Sequence, residues 1–210
     1  MNAAIRQVPS VVMVLLASGC SMTSVRIQEQ IASHEFAEDS RELSDELISL
    51  HNVVPYVPPA HENSCGVTCL DMILEYEGRS LPVATRHALL ESVVEDESVT
   101  QGALKKALED VGFLAIHLQG EARWPEDGSY QSWKNPFFHV ESGRPPILRV
   151  ATDEGLSHFV VLVGFDPETR SIVVMNPGRG AEVWSLARFE QWWGRGDRWF
   201  VAYKEPSEHS

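Results

Sequence analysis

Up to Gly112 the apolar residues of this chain fall mostly at helical spacing, and from Pro146 onward they gather into short β-type runs. That change of period restricts the fold more than any other feature. Gly66 to Tyr76 reads as a helix, with Val67, Leu70, Met72, Ile73, Leu74 and Tyr76 as its apolar positions and Gly78 ending it. Val83 to Val94 reads as a second helix. Thr100 caps a third, Gln101 to Val111, closed by Gly112. Phe113 to Leu118 follows as a strand, and Gly120 to Gly143 carries only scattered prolines and aromatics and reads as irregular. Beyond Pro146, Ile147 to Ala151, His158 to Phe165 and Ile172 to Met175 read as strands, the last two joined into a hairpin by the turn Asp166 to Ser171. A helix over Leu186 to Trp193 and a strand over Arg198 to Tyr203 complete the chain. Helices first and an antiparallel sheet after them predict an α+β fold in a single domain.

The chain has 210 residues, the length of one domain with extensions, and 43% are hydrophobic, ample for a packed core. Its formal charge of −13, with no Lys/Arg cluster to offset it, argues against binding nucleic acid or anionic lipid headgroups. Residues 1–19 read as an export signal, with Arg6 as the basic residue and Val11 to Ala17 as an apolar stretch too short to span a bilayer. Ala17-Ser18-Gly19-Cys20 resembles the lipobox of bacterial lipoproteins, with Leu16 one position earlier than usual. That resemblance implies lipidation at Cys20, and Ser21 after it implies an outer-membrane anchor facing the periplasm. Residues 20–52 read as a tether holding a short amphipathic helix, Ser40 to Leu50, and 53–205 as the folded domain. Val53 to Pro59 must be extended, because its three prolines exclude both helix and sheet interior. Cys65 and Cys69, four apart on one helix, are poorly spaced for an unstrained disulfide.

Asn63-Ser64-Cys65-Gly66 stands where this extended segment enters a helix. A thiol there meets the positive end of the helix dipole and unpaired N–H groups, both of which favour thiolate. Gly66 is read as letting the backbone pass close to a substrate, and the Cys65 N–H can point at a developing oxyanion. A cysteine nucleophile needs a base, and His158, at the start of a strongly apolar strand, is the candidate. Asn176, just past the partner strand, returns to the same end of the hairpin and can fix the imidazole tautomer.

With these residues in place, the sequence resembles the peptidase domain of double-glycine (bacteriocin-processing) cysteine peptidases. The run Cys65-Gly66-Val67-Thr68-Cys69-Leu70-Asp71-Met72-Ile73-Leu74 is close to that family's CGxxCLxMIL. The likeness continues through Gln101 to Leu118, Pro146-Ile147-Leu148 and His158-Phe159-Val160-Val161, covering Val53 to Tyr203. It implies a papain-like fold and cleavage of a peptide after a small residue pair, with a peptide or protein substrate and a secretion partner. Two positions depart from the family. Where it carries Gln as second oxyanion donor, six positions before the nucleophile, this chain has Pro59, which leaves His61 and Asn63 as nearby replacements. Where it carries Asp in the triad, this chain has Asn176, as in papain itself. The expectation is a stand-alone, lipid-anchored cysteine peptidase without cofactor.

Blander readings apply to several of these residues. Cys69 is most simply core, and Trp192, Trp193, Trp199 and Phe200 are core aromatics. His61, Cys65 and Cys69 share a spacing of four, but no second cluster completes a metal site. Glu95-Asp96-Glu97 reads as a solvated loop. Two other functions fit the same fold. One is a non-catalytic module that binds a peptide or secretion partner, which Pro59 favours. The other is amidase or transpeptidase action on cell-wall peptides.

Overall fold

A computed structural model describes residues 52–61, 63–96, 98–121 and 132–206; the expected signal, Cys20 and the helix over Ser40 to Leu50 lie outside these. The helices are α1 (Cys65–Tyr76), α2 (Val83–Asp96), α3 (Gln101–Asp110), α4 (Pro136–Glu141) and α5 (Leu186–Arg195). The strands are β1 (Leu114–Gln119), β2 (Ile147–Ala151), β3 (Ser157–Asp166), β4 (Ser171–Asn176), β5 (Gly180–Ser185) and β6 (Trp199–Lys204). They form one antiparallel sheet in the order β1-β6-β2-β3-β4-β5. Fold class is therefore α+β, with helices packed on an antiparallel sheet, as the change of period predicts.

Each strand sorts its side chains between two cores. Phe159, Val161 and Val163 of β3, Val173 and Met175 of β4, and Val201 of β6 face α1 and α3. Val160 and Leu162 of β3, Ile172 and Val174 of β4, and Phe200 of β6 face α4 and α5. A register shift between Leu162 and Gly164 breaks the alternation, so that Phe165 joins the second core. Cys69 is fully buried in the first core; Trp193, Trp199 and Phe200 are buried, whereas Trp192 stays partly exposed beneath the Arg188 guanidinium.

Local signals explain the helix ends. Gly78, at positive φ, closes α1 with Arg79 N–H on Leu74 O and Gly78 N–H on Glu75 O; Gly112 closes α3 in the same way. The Thr100 hydroxyl caps α3 by accepting from Ala103 N–H.

Three elements differ from the sequence reading. The segment read as irregular contains α4, capped by Asn135, opened by Pro136 and closed by Gly143. The chain after Asn176 turns back at once into β5. Helix α2 continues to Asp96, so the first part of the acidic run is helical rather than loop.

Val53 to Pro59 forms neither helix nor strand, as its prolines require. Its start is fixed by Asn52, a buried polar residue with no signature in the sequence. The Asn52 amide donates to Val140 O and Val163 O and accepts from the Tyr76 hydroxyl, tying the segment to α4, β3 and α1. Every polar group of this side chain thus has a partner, which its burial demands. Among the described residues no helix is long and apolar enough to cross a membrane.

Candidate active site

Ser64 and Cys65 begin α1. The Ser64 carbonyl accepts the first helical bond, from Thr68 N–H, and the Ser64 hydroxyl donates to His61 O while accepting from His61 N–H. His61 and Ser64 are therefore tied to each other just before Cys65, at the helix N-terminus. Gly66 has a packing reason that the sequence does not show. A Cβ there would lie 2.2 Å from Val99 Cγ1 and 3.1 Å from Phe159 Cδ2, so the glycine makes room for these buried side chains.

His158 lies near the start of β3. Register pairs Val161 with Met175, so Asn176 falls opposite Val160, one diagonal step from His158 on the same face. His158 Nε2 donates to Asn176 Oδ1 at 2.7 Å. That leaves Nδ1 outside this bond and available to the Cys65 thiol, whose charge and hydrogen bonding act on the ring. Cys65 and His158 are both partly buried.

The two groups shift each other. Burial pushes the Cys65 thiol up, but the hydrogen bond and charge of His158, with the N–H groups of Phe159 and Gly66, outweigh it and leave the thiol below its usual value. Burial pushes His158 down, but Cys65, Asn176 and the Glu182 carboxylate outweigh that, and its pKa is raised. Both shifts favour a thiolate beside an imidazolium. One helical turn on, Cys69 is the opposite case: full burial, then the charge of Cys65, raise its thiol well above the ordinary value. Both cysteines are free thiols.

Beyond Asn176, the sequence Asn176-Pro177-Gly178-Arg179 turns the chain, with Arg179 N–H on Asn176 O at 3.1 Å and Gly178 at φ 83°. Proline followed by a positive-φ glycine is the pattern of a type II turn. The turn carries the chain into β5 and sets Glu182 diagonally across from Asn176. Asn176 Nδ2 donates to Glu182 Oε2 at 3.0 Å, and Trp184 Nε1 donates to the same oxygen at 2.8 Å. Nothing in the reading of the sequence points to Glu182. Its signal is the β5 alternation, in which a lone carboxylate separates Ala181 from Val183.

The opposite flank of Cys65 carries fewer donors. Pro59 is exposed, and its ring stands 3.8 Å from where a Gly178 Cβ would lie, beside the turn that holds Asn176. His61 and Asn63 are exposed on the turn before α1, and the His61 N–H is already committed to Ser64. The backbone N–H groups of the first turn of α1 have no intrahelical acceptor and remain the best-placed donors for an anion at Cys65. Among the described residues no group of three or more His, Cys, Asp or Glu side chains could hold a metal ion.

The fold has known counterparts. Among solved structures, a double glycine motif protease from an AMS/PCAT transporter, in complex with its leader peptide, is 19% identical with a TM-score of 0.53, covering 73% of this chain and 93% of that one. A C39-like peptidase from Bacillus anthracis is 19% identical with a TM-score of 0.54, covering 74% and 96%. The peptidase domain of Streptococcus ComA, a bifunctional ABC transporter of a quorum-sensing pathway, is 16% identical with a TM-score of 0.53, covering 71% and 97%. At these identities the likeness establishes the papain-like fold. No curated protein matches the sequence. The model of the Peptidase_C39 like family matches residues 50–198, well over half of the sequence, and the chain belongs to that family.

Proposed function

We propose that this chain is a cysteine peptidase whose nucleophile is Cys65. The observation that carries the reading is the line Cys65–His158–Asn176, which reaches from a helix N-terminus across two strands and shifts both titrating groups toward the ion pair. In this reading the Cys65 thiolate adds to the scissile carbonyl, and negative charge develops on its oxygen near the Cys65 N–H. As the C–N bond breaks, the His158 imidazolium gives its proton to the departing amine and a thioester remains. Neutral His158 then takes a proton from water, whose attack releases the acid and restores thiolate and imidazolium. Asn176 holds the ring by accepting from Nε2 throughout. The proposed substrate is a peptide or leader sequence cut after small residues such as Gly-Gly. Family membership supports this, as does the leader peptide bound to a protein of the same fold. A secretion system is the proposed partner, by analogy with the transporter domains of similar fold. Incubation with a leader peptide ending in Gly-Gly, read by mass spectrometry, tests the reading. Cleavage by wild type and none by Cys65→Ala supports it; an intact peptide in both contradicts it.

We further propose that residues 1–19 are removed and that Cys20 carries the lipid of an outer-membrane anchor facing the periplasm, with 20–52 as tether and 53–205 as the peptidase domain. Stable anchoring needs more than one acyl chain, which a lipoprotein cysteine supplies. Wild type should fractionate with the outer membrane and Cys20→Ala should not; a wild-type protein found soluble contradicts the anchor.

A second reading is kept by Pro59. With Gln absent from the family's donor position, the same fold can hold a peptide without cutting it. Binding of the leader peptide without turnover, and with Cys65 unreactive, would favour that module.

A further inference from the structure

An asparagine offers a carbonyl on one side of its amide and an NH2 on the other, so its usefulness to a catalytic histidine depends on which side faces the ring. If the NH2 faced His158, two donors would oppose each other and the imidazolium would lose its partner. An aspartate at this position has no such ambiguity. This chain has Asn176, and something must set the amide's direction.

Glu182 stands where that is decided. Its Oε2 accepts from Asn176 Nδ2 at 3.0 Å and from Trp184 Nε1 at 2.8 Å, while Oε1 faces Arg179 Nη1 at 3.6 Å. The Trp184 ring is buried and the Glu182 side chain is only 20% exposed, so the carboxylate is itself held in place. A carboxylate only accepts, and it therefore admits only the NH2 of Asn176. The chain of donors runs one way: His158 Nε2–H to Asn176 Oδ1, Asn176 Nδ2–H to Glu182. The charged and titrating groups around it are Cys65 from α1, His158 from β3 and Arg179 from the β4–β5 turn.

We propose that Glu182 is a positioning residue of this site, fixing the Asn176 amide so that only its carbonyl faces His158, and lending the imidazolium a nearby negative charge. The inference rests on the peptidase reading above. With Asn at position 176, the negative charge stands one residue further along the line from the imidazole, on Glu182.

The test is the pH profile of Cys65 alkylation by iodoacetamide, which needs no substrate, in the full chain. Glu182→Ala removes the acceptor, so the acid limb should move to higher pH and the rate at pH 6 should fall about tenfold, equivalent to one pH unit. Glu182→Gln keeps an acceptor for Asn176 and Trp184 but can also donate, so it no longer admits only the NH2 of Asn176, and the rate should fall about two- to threefold. The double variant Asn176→Asp with Glu182→Gln swaps the two groups and leaves every donor satisfied. The amide introduced at position 182 can donate its NH2 to the carboxylate introduced at position 176, while its oxygen accepts from Trp184. This variant should regain at least the wild-type rate at pH 6, a recovery that general destabilisation would not produce. Should Glu182→Ala fail to fold, the Gln variant and the swap decide the matter. Coincident profiles in all folded variants would overturn the proposal while leaving the peptidase reading intact. A profile that moves as described, in a protein that never cleaves peptide, would uphold the positioning role and overturn the peptidase reading.

Discussion

His158, Asn176 and Glu182 stand on three neighbouring strands of one sheet, whereas the other flank of Cys65 is approached by Asn52 to Pro59, a segment with no regular structure. On the strand side each polar group that handles the proton has a named partner at 2.7 to 3.0 Å. On the segment side, the position where the resemblance leads one to expect an oxyanion donor is Pro59, and the His61 N–H is committed to Ser64. The contrast is between a hydrogen-bonded line on one flank of Cys65 and a flank with little support on the other. Under the proposed mechanism it makes activation of the thiol and stabilisation of the transition state separable: the first would come from β3, β4 and β5, the second from the N-terminus of α1 and whatever the extended segment adds.

That separation can be broken from either side. The largest effect should come from Cys65→Ala, a loss of about 10⁴-fold or more in peptide cleavage with the fold retained, measured by product formation and circular dichroism. Retained turnover would remove Cys65 from the account. Next is Pro59→Gln, which restores a donor on the poor side and should raise the acylation rate by up to about 10²–10³-fold without moving the pH profile of Cys65. If His61 or Asn63 already serves, Pro59→Gln changes little and alanine at the residue in use slows acylation instead.

Smaller effects fall on stability. Gly66→Ala forces a Cβ to within 2.2 Å of Val99 Cγ1, a clash inside the first core, and should cost about 1–3 kcal/mol in denaturant unfolding. An unchanged midpoint would mean that Val99 moves aside freely. Cys69→Ala truncates a fully buried side chain and should cost about 1–2 kcal/mol while cleavage by the remaining folded protein is kept. Equal loss of activity in folded Cys65→Ala and Cys69→Ala would contradict the distinction between the two thiols.

What can be read from the sequence follows the same division. Cys65 before Gly66, His158 opening an apolar strand and Asn176 after its partner strand each carry a local signature, and hairpin register does the rest. Helices α1 and α3 are legible because their caps are glycines in the Schellman arrangement. The short α4 is not, since six residues are too few for a helical period to show, although Asn135-Pro136 and Gly143 mark both of its ends. Strand β5 is hidden by the glycines at its start and by Glu182, a polar residue in its interior. The same residue is equally hidden as part of the site. Its meaning depends on a diagonal contact across a hairpin, and no sequence spacing announces such a contact. Asn52 is unreadable for the same reason, because its partners lie 88 and 111 positions away. The bulge at Leu162 and Gly164 leaves only a glycine as its trace.

The central claim is that His158 holds Cys65 as a thiolate, and one measurement addresses it directly. The rate of Cys65 alkylation is followed from pH 5 to 9 in wild type and in His158→Ala, with labelled residues identified by mass spectrometry. The lowered Cys65 pKa and the raised His158 pKa together predict reaction in wild type well below the ordinary cysteine value of about 8.5, no labelling of Cys69 in the folded protein, and a shift of the profile toward that ordinary value in His158→Ala. A wild-type Cys65 that titrates like a free cysteine, with the same profile in His158→Ala, would contradict the account.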